Sequence, residues 1–234
     1  MRCPPWTRSA LAAIVLAGLL VLAGCSKSSS PTRPQPPTPP APDSPANVVR
    51  RFAWGWNHLD RESFRQILAA DFDFVYAPGD SAGSLFPGRA FGRDTMLLIL
   101  QHMFSGGGAE PKLDAVTLQF DPVLNVMPDT RPGKDPGWHK QVLTSVDLHV
   151  RAGTVDYRIG GNARFYLTRG DSAAIPADLA AQGAGPDSTR WYMDRWADET
   201  LSVIGPAPVA GATRPAGLQA THSTSWGAIL ALYR

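Results

Sequence analysis

Hydrophobic positions change their period along this chain. From residue 44 onward, Val48, Val49, Phe52, Trp56 and Leu59 recur three and four apart, which places them on one face of a helix reaching about Leu59. Ser44 followed by Pro45 supplies its start, an N-cap and a proline at the first helical position. Asp60 is placed to cap a second helix that turns Phe64, Ile67 and Leu68 inward. Asp71 to Tyr76 then alternates, with Phe72, Phe74 and Tyr76 on one side and Asp71, Asp73 and Val75 on the other, a half-buried strand. Gly92–Phe104 returns to helical spacing and packs Met96, Leu97, Leu100, Met103 and Phe104 before a glycine triplet stops it. After Pro111 the period shifts to two. Strands are predicted near Leu113–Asp121, Val142–Arg151, Asn162–Thr168 and Trp191–Asp198, with Val142, Val146, Leu148 and Val150 sharing a face with Thr144. The long intervals Pro128–His139 and Gly170–Arg190 read as loops rich in Gly, Pro and Asp. Helices first and strands afterwards predict an α+β domain, its helices packed on one face of an antiparallel sheet.

The first 46 residues follow none of these periods. Arg2 and Arg8 precede an apolar run from Ala10 to Leu22, too short to span a bilayer comfortably and fitting a secretory signal. It ends Leu22-Ala23-Gly24-Cys25, which resembles the lipobox of bacterial lipoproteins, whose cysteine is acylated and becomes the first residue of the mature chain. The resemblance implies a signal peptide over 1–24, lipidation at Cys25 and a cell-envelope location anchored to the membrane. Ser26, a residue other than Asp, points to the outer membrane if the source is Gram-negative. Residues 26–46 carry eight prolines and almost no apolar side chains. They read as an extended, stiff tether of roughly 60 Å at about 3.1 Å per residue, or as a proline-rich ligand for a recognition module.

Trp56-Asn57-His58-Leu59-Asp60, then Phe64, Leu68 and Asp71-Phe72-Asp73-Phe74, resembles the opening of domains in the NTF2-like superfamily, SnoaL-like members included. The late strand Trp191-Tyr192-Met193-Asp194-Arg195-Trp196-Ala197-Asp198 is similar to that of some members. The likeness covers about 47–200 and leaves 201–234 as an extension that packs on the domain. It implies a cone made by a curved antiparallel sheet around N-terminal helices, with an apolar pocket, and pairing of two copies through their sheets. The superfamily holds polyketide cyclases, steroid isomerases, dehydratases and members without catalysis, so the fold does not select the function.

Composition narrows the classes. The chain of 234 residues has 22 basic and 20 acidic side chains. Loss of Arg2 and Arg8 with the signal leaves 20 of each sign, with no cationic surplus for nucleic acid. Cys3 leaves as well, so Cys25 is the only cysteine of the mature chain and no disulfide is available. No two of the five histidines stand at helical metal-ligand spacing, and no metal or cofactor is predicted.

Candidate chemistry is sparse. Gly79-Asp80-Ser81-Ala82-Gly83 matches G-x-S-x-G, but Ser84-Leu85-Phe86-Pro87-Gly88 follows instead of a helix, so it reads as a turn. Asp73 and His102 are the acid/base candidates; the plainer reading is solvent exposure or a salt bridge for Asp73 and a partly exposed helical position for His102. Asp194 and Asp198 are placed outward, opposite Trp191, beside arginines. Trp56, Tyr76, Tyr166, Trp191 and Tyr192 are candidates to line a pocket for an apolar or aromatic small molecule, or to fill the core. Trp226, Ile229 and Leu232 close the chain as an apolar patch that folds back or docks a partner. The function expected is non-catalytic binding of an apolar ligand or a protein partner. The alternatives are an isomerase, dehydratase or cyclase, and a structural lipoprotein with a filled core.

Overall fold

The computed structural model describes residues 37–80, 82, 91–201 and 221–234. The proposed signal, Cys25 and most of the tether lie outside the described residues, as do Ser81 and Gly83 of the G-x-S-x-G match. The compact unit runs Pro39–Arg234, so it starts before the boundary expected at residue 47. Prolines lack N–H but keep their carbonyls, and these carbonyls hold the segment: Trp191 N–H donates to Pro42 O at 2.8 Å and Arg51 Nη1 to Pro40 O at 3.1 Å.

Helix α1 (Pro45–Asn57) starts where the sequence places it, with Ser44 Oγ accepting from Asn47 N. Its buried face is Val48, Val49, Phe52 and Trp56. The Trp-Asn-x-x-Asp segment divides three tasks. Trp56 enters the core, while the Asn57 side chain accepts from Leu118 N at 2.6 Å and donates to Leu118 O at 3.0 Å, filling one rung at the sheet's edge strand. Asp60 caps α2 (Arg61–Ile67) by accepting from Glu62 N and Ser63 Oγ. The two helices touch at Gly55, where a Cβ would lie 2.4 Å from the Phe64 ring.

The remaining elements are β1 (Leu68–Val75), β2 (Phe91–Gly92), α3 (Arg93–Ser105), β3 (Ala115–Phe120), β4 (Asn125–Pro128), β5 (His139–Ala152), β6 (Val155–Gly170), α4 (Ala177–Ala180), β7 (Asp187–Leu201), β8 (Thr221–Ser223) and α5 (Trp226–Leu232). One open, curved sheet runs β2-β1-β7-β6-β5-β3, with β4 also on β5 and β8 also on β6. The architecture is the expected α+β, a sheet packed on N-terminal helices. The sheet is mixed, because β1 pairs with β7, and β6 with β8, in parallel. β5 and β6 outrun the predicted segments at both ends and pair from His139↔Thr168 to Ala152↔Val155. The second long loop also contains more order than expected, since α4 and the start of β7 lie in it.

Helix α1 packs against β3, β5 and β7, and α3 against β1 and β2. Val142, Thr144, Val146, Leu148 and Val150 face inward as the alternation predicts. The centre is aromatic: Phe52 stands 5.3 Å from Phe64, 5.0 Å from Phe165 and 5.0 Å from Trp196, centroid to centroid, mostly tilted or edge-on.

One irregularity decides the site. Along the β6–β7 pair, Tyr166 faces Arg195 while Leu167 faces Met193, so Asp194 is an extra residue on β7. Such a bulge resets the two-residue period. Trp191 and Met193 enter the core before it, and Trp196, Asp198 and Thr200 are buried after it. The outward placement of Asp198 is therefore overturned. Asp194 is also buried, covered by the 129–138 loop, whose Arg131 and Lys134 donate to its Oδ2 at 2.8 and 3.0 Å.

Candidate functional site

Helix α5 closes the aromatic interior. Ser225 caps it by accepting from Ala228 N, and Trp226, Ile229 and Leu230 turn inward. The Trp226 ring stands 4.5 Å from Trp196, 5.5 Å from Trp56 and 5.6 Å from Phe52. All four side chains are about fully buried. Trp226 and Ile229 are thus core residues and offer nothing to a partner; Leu232, on the other side of the helix, is 45% exposed. The three indole N–H groups of Trp56, Trp196 and Trp226 have no acceptor among the described residues. Such a buried donor costs about 1–3 kcal/mol.

Polar groups gather where α5 begins. Asp198 Oδ1 accepts from Thr200 N at 2.9 Å and Thr200 Oγ1 at 2.6 Å, and its Oδ2 accepts from Gly227 N at 2.8 Å. Thr200 Oγ1 in turn accepts from Trp226 N at 2.9 Å. Ser225 Oγ donates to Asp80 Oδ2, and Asp80 is held in a turn by Ala82 N on its Oδ1. The first three amides of α5, which no helical carbonyl can serve, are each taken by a side-chain oxygen. Tyr76 roofs the site: a Cβ on Gly227 would lie 2.3 Å from Tyr76 Cδ1, so only glycine lets the helix approach.

Burial pushes the Asp198 carboxyl up to about 6, and the nearby Asp80 charge adds to this. The bonds from Thr200 and Gly227 pull the other way without prevailing. Burial likewise raises the Tyr76 phenol. Asp198 can therefore exchange a proton near neutral pH, but both of its oxygens are engaged by the protein's own donors. Asp198 was the functional candidate the alternation missed. Its only sequence signal is Asp-x-Thr spacing, which allows an acceptor two residues before the amide it serves.

The predicted site residues do not converge. Asp73 lies half-buried on the side of β1 opposite Phe72 and Phe74, in register with Gly92 and Arg195. His102 Nδ1 lies 3.0 Å from the Tyr233 carbonyl and donates to it, tying α3 to the end of α5. Burial pushes the Tyr233 phenol up to about 12, while its OH donates to Pro111 O at 2.7 Å. Trp56 belongs to the aromatic centre, and Tyr76 packs on Phe74 and Phe91. Tyr166 faces the other side of the sheet under the Arg131 guanidinium, 4.0 Å from the ring centre. Trp191 is buried at the sheet end beside Arg169, and Tyr192 sits in a separate small cluster with Ala69, Ile175 and Leu179. Of the five tyrosines and tryptophans proposed as a pocket wall, Trp56, Tyr76 and Trp191 thus belong to the main core, Tyr192 to the separate cluster and Tyr166 to the other side of the sheet.

Two clefts open on the surface away from these residues. One, of about 410 Å³, is bordered by Thr117, His149, Arg151 and Tyr157. The other, of about 490 Å³, is bordered by Arg61, Arg65, Arg93 and Asp178. Arg65 and Arg93 both bind the Asp178 carboxylate, at 2.8 and 3.0 Å, and Asp94 lies 3.7 Å from Arg93, so three guanidiniums meet two carboxylates in the second cleft. No group of three or more metal-ligating side chains occurs among the described residues, and no helix among them is long and apolar enough to cross a membrane.

No protein-family model matches the chain, and no curated protein matches it. Among solved structures it is similar to a putative scytalone dehydratase from Novosphingobium aromaticivorans, at 12% identity, over 75% of this chain and 92% of that one, with a TM-score of 0.45. It is similar to a conserved protein from Planctomyces limnophilus, at 13% identity over 67% and 92%, with a TM-score of 0.43. An NTF2-like superfamily protein from Salmonella enterica serovar Typhimurium matches at 12% identity over 71% and 92%, with a TM-score of 0.40.

Proposed function

We propose that this chain is a lipid-anchored envelope protein whose NTF2-like domain binds an apolar aromatic molecule without transforming it. The observation that carries the reading is the enclosure of the Trp226 indole by Phe52, Trp56 and Trp196. Ring faces and edges dominate this interior, and these are the surfaces on which an apolar aromatic molecule packs. The acid/base group nearest that lining, Asp198, spends its oxygens on Thr200 and Gly227, which favours binding over proton transfer.

The test is native mass spectrometry of the full chain purified from its membrane in detergent. A retained aromatic small molecule is expected; its absence across preparations refutes the binding reading. The anchor is tested separately, by metabolic labelling with an alkynyl palmitate. Wild type takes up label and stays with the membrane, and Cys25→Ser does neither. Equal labelling of both proteins ends the lipobox reading.

The buried carboxyl raised to about 6 favours a second reading, an isomerase or dehydratase using Asp198 as its base. Turnover of a candidate substrate that is lost in Asp198→Asn, with the ligand still bound, would establish it.

A further inference from the structure

We propose that the cleft of about 490 Å³ where α2, α3 and α4 begin is a binding site for a small organic carboxylate, with the Arg61 guanidinium as its grip and Leu97, Pro176 and Ala177 as its apolar wall. The site contains none of the rings that enclose Trp226 and stands or falls independently of them.

The three guanidiniums of the cleft are not equally served. Arg93, with 8% of its side chain exposed, donates from Nε to Leu68 O and from Nη2 to Arg65 O, and it meets Asp178 at 3.0 Å. Arg65 meets Asp178 at 2.8 Å and Glu62 at 2.6 Å. Two arginines and two carboxylates thus make one wall that is locally neutral and fixed by its own bonds. Asp94 stands 3.7 Å from Arg93 with its side chain 98% exposed, where water screens most of its charge. Arg61 differs from both neighbours. Its Nε donates to Leu97 O at 3.0 Å, and its two terminal nitrogens have no partner among the described residues. The bond to Leu97 O clamps the planar fork against α3 instead of leaving it to swing in solvent. A fork held in this way, with both terminal N–H edges unspent, takes a carboxylate in two parallel bonds.

The ligand class follows from the same lining. One unmet guanidinium takes one negative charge, which selects a monoanion over a dianion such as a phosphate monoester. The start of α3 favours the same sign, because Gly92 gives that helix no side-chain cap and its positive end lies at Arg93 and Asp94 on the cleft wall. Leu97, Pro176, Ala177 and Ala70 supply apolar surface for the rest of the molecule. The space is of the size that holds small-molecule ligands, enough for a carboxylate on a single ring or short chain.

The experiment follows 4-fluorobenzoate by fluorine NMR against the full chain in detergent, with detergent alone as the blank. 4-Fluorobenzamide is the neutral counterpart of the same shape, and inorganic phosphate is the competitor. Circular dichroism first establishes that each variant is folded. Fluorobenzoate should bind wild type about tenfold tighter than the amide, the difference a charge-assisted pair makes. Arg61→Gln should lose about tenfold in fluorobenzoate affinity and leave the amide unchanged. Ala177→Glu, a change at an exposed position that brings a carboxylate to the cleft, should abolish fluorobenzoate binding, and it decides the matter if Arg61→Gln fails to fold. Equal binding of acid and amide overturns the anion requirement. Fluorobenzoate affinity unchanged in Ala177→Glu, or in a folded Arg61→Gln, puts the probe elsewhere and overturns the site. Phosphate that displaces fluorobenzoate more readily than unlabelled benzoate does overturns the choice of a carboxylate. No broadening at about 10 mM probe, where even a Kd of about 1 mM would fill the cleft, overturns the proposal outright.

Discussion

Replacing Gly227 with alanine is the sharpest probe of how α5 is seated. The added Cβ would lie 2.3 Å from Tyr76 Cδ1 and 2.7 Å from Cε1, with Asp80 Oδ2 at 3.2 Å. Carbon atoms pack at about 3.5–4.0 Å, so one partner must retreat by about an ångström. Tyr76 has little room to do so, because its ring stands 5.1 Å from Phe74 and 5.6 Å from Phe91. Nor can α5 lift freely, since lifting stretches the Gly227 N–H bond to the buried Asp198 carboxyl. An overlap this large falls at the upper end of overpacking costs, about 3 kcal/mol, and alanine's better helix propensity returns only about 1 kcal/mol, a net loss of about 2 kcal/mol. For a domain of this size 1 kcal/mol is about 2–4 °C in Tm. Gly227→Ala should therefore lower Tm by several degrees in thermal unfolding followed by circular dichroism. Tyr76→Ala in the same chain should remove the clash, so the double variant should be more stable than additivity of the two singles predicts. A Gly227→Ala Tm within a degree of wild type, or strictly additive losses, would refute the close approach of α5 to Tyr76.

The remaining predictions address single contacts. In the native state Asp198 binds its proton up to about pH 6, against about 3.8 for an ordinary Asp, so between these values the native state holds more protons than the unfolded one. Its contribution is greatest below that window and falls as pH rises through it, by about 3 kcal/mol in all. Denaturant titrations from pH 4 to 7 should show the stability of wild type falling relative to that of Asp198→Asn as pH rises, and parallel curves would contradict the burial of this group. Asn57→Ala leaves the Leu118 N–H and C=O without their side-chain partner at the edge strand and should cost about 1–3 kcal/mol, read as a lower urea midpoint with unchanged slope. Gly55→Ala should destabilise comparably through overlap with the Phe64 ring, and Phe64→Leu should recover part of that loss.

Local physics made most of the elements legible in the sequence. Ser44 and Asp60 act within three residues of themselves, so both caps follow from the chain order, as do the inward faces of α1, α3 and β5. The alternation around Asp71–Tyr76 also held, since β1 is regular over Phe72–Val75. The candidate site was not legible, and the reason lies in β7. A two-residue period carries a side chain's facing only as far as the period is unbroken, and the extra residue at Asp194 breaks it between Trp191 and Asp198. Whether a strand bulges depends on its register with β6, a pairing that no stretch of β7 contains.

Helices α1 to α3, the caps at Ser44 and Asp60, the aromatic supply and the α+β order are readable from the chain alone, because each rests on neighbours a few residues away. Tertiary structure alone decided that β1 and β7 run parallel, that Trp226 sits among Phe52, Trp56 and Trp196, and that Asp198 is buried at the start of α5. Those contacts join residues up to about 170 positions apart, and only the curving of the open sheet around α1 brings them together.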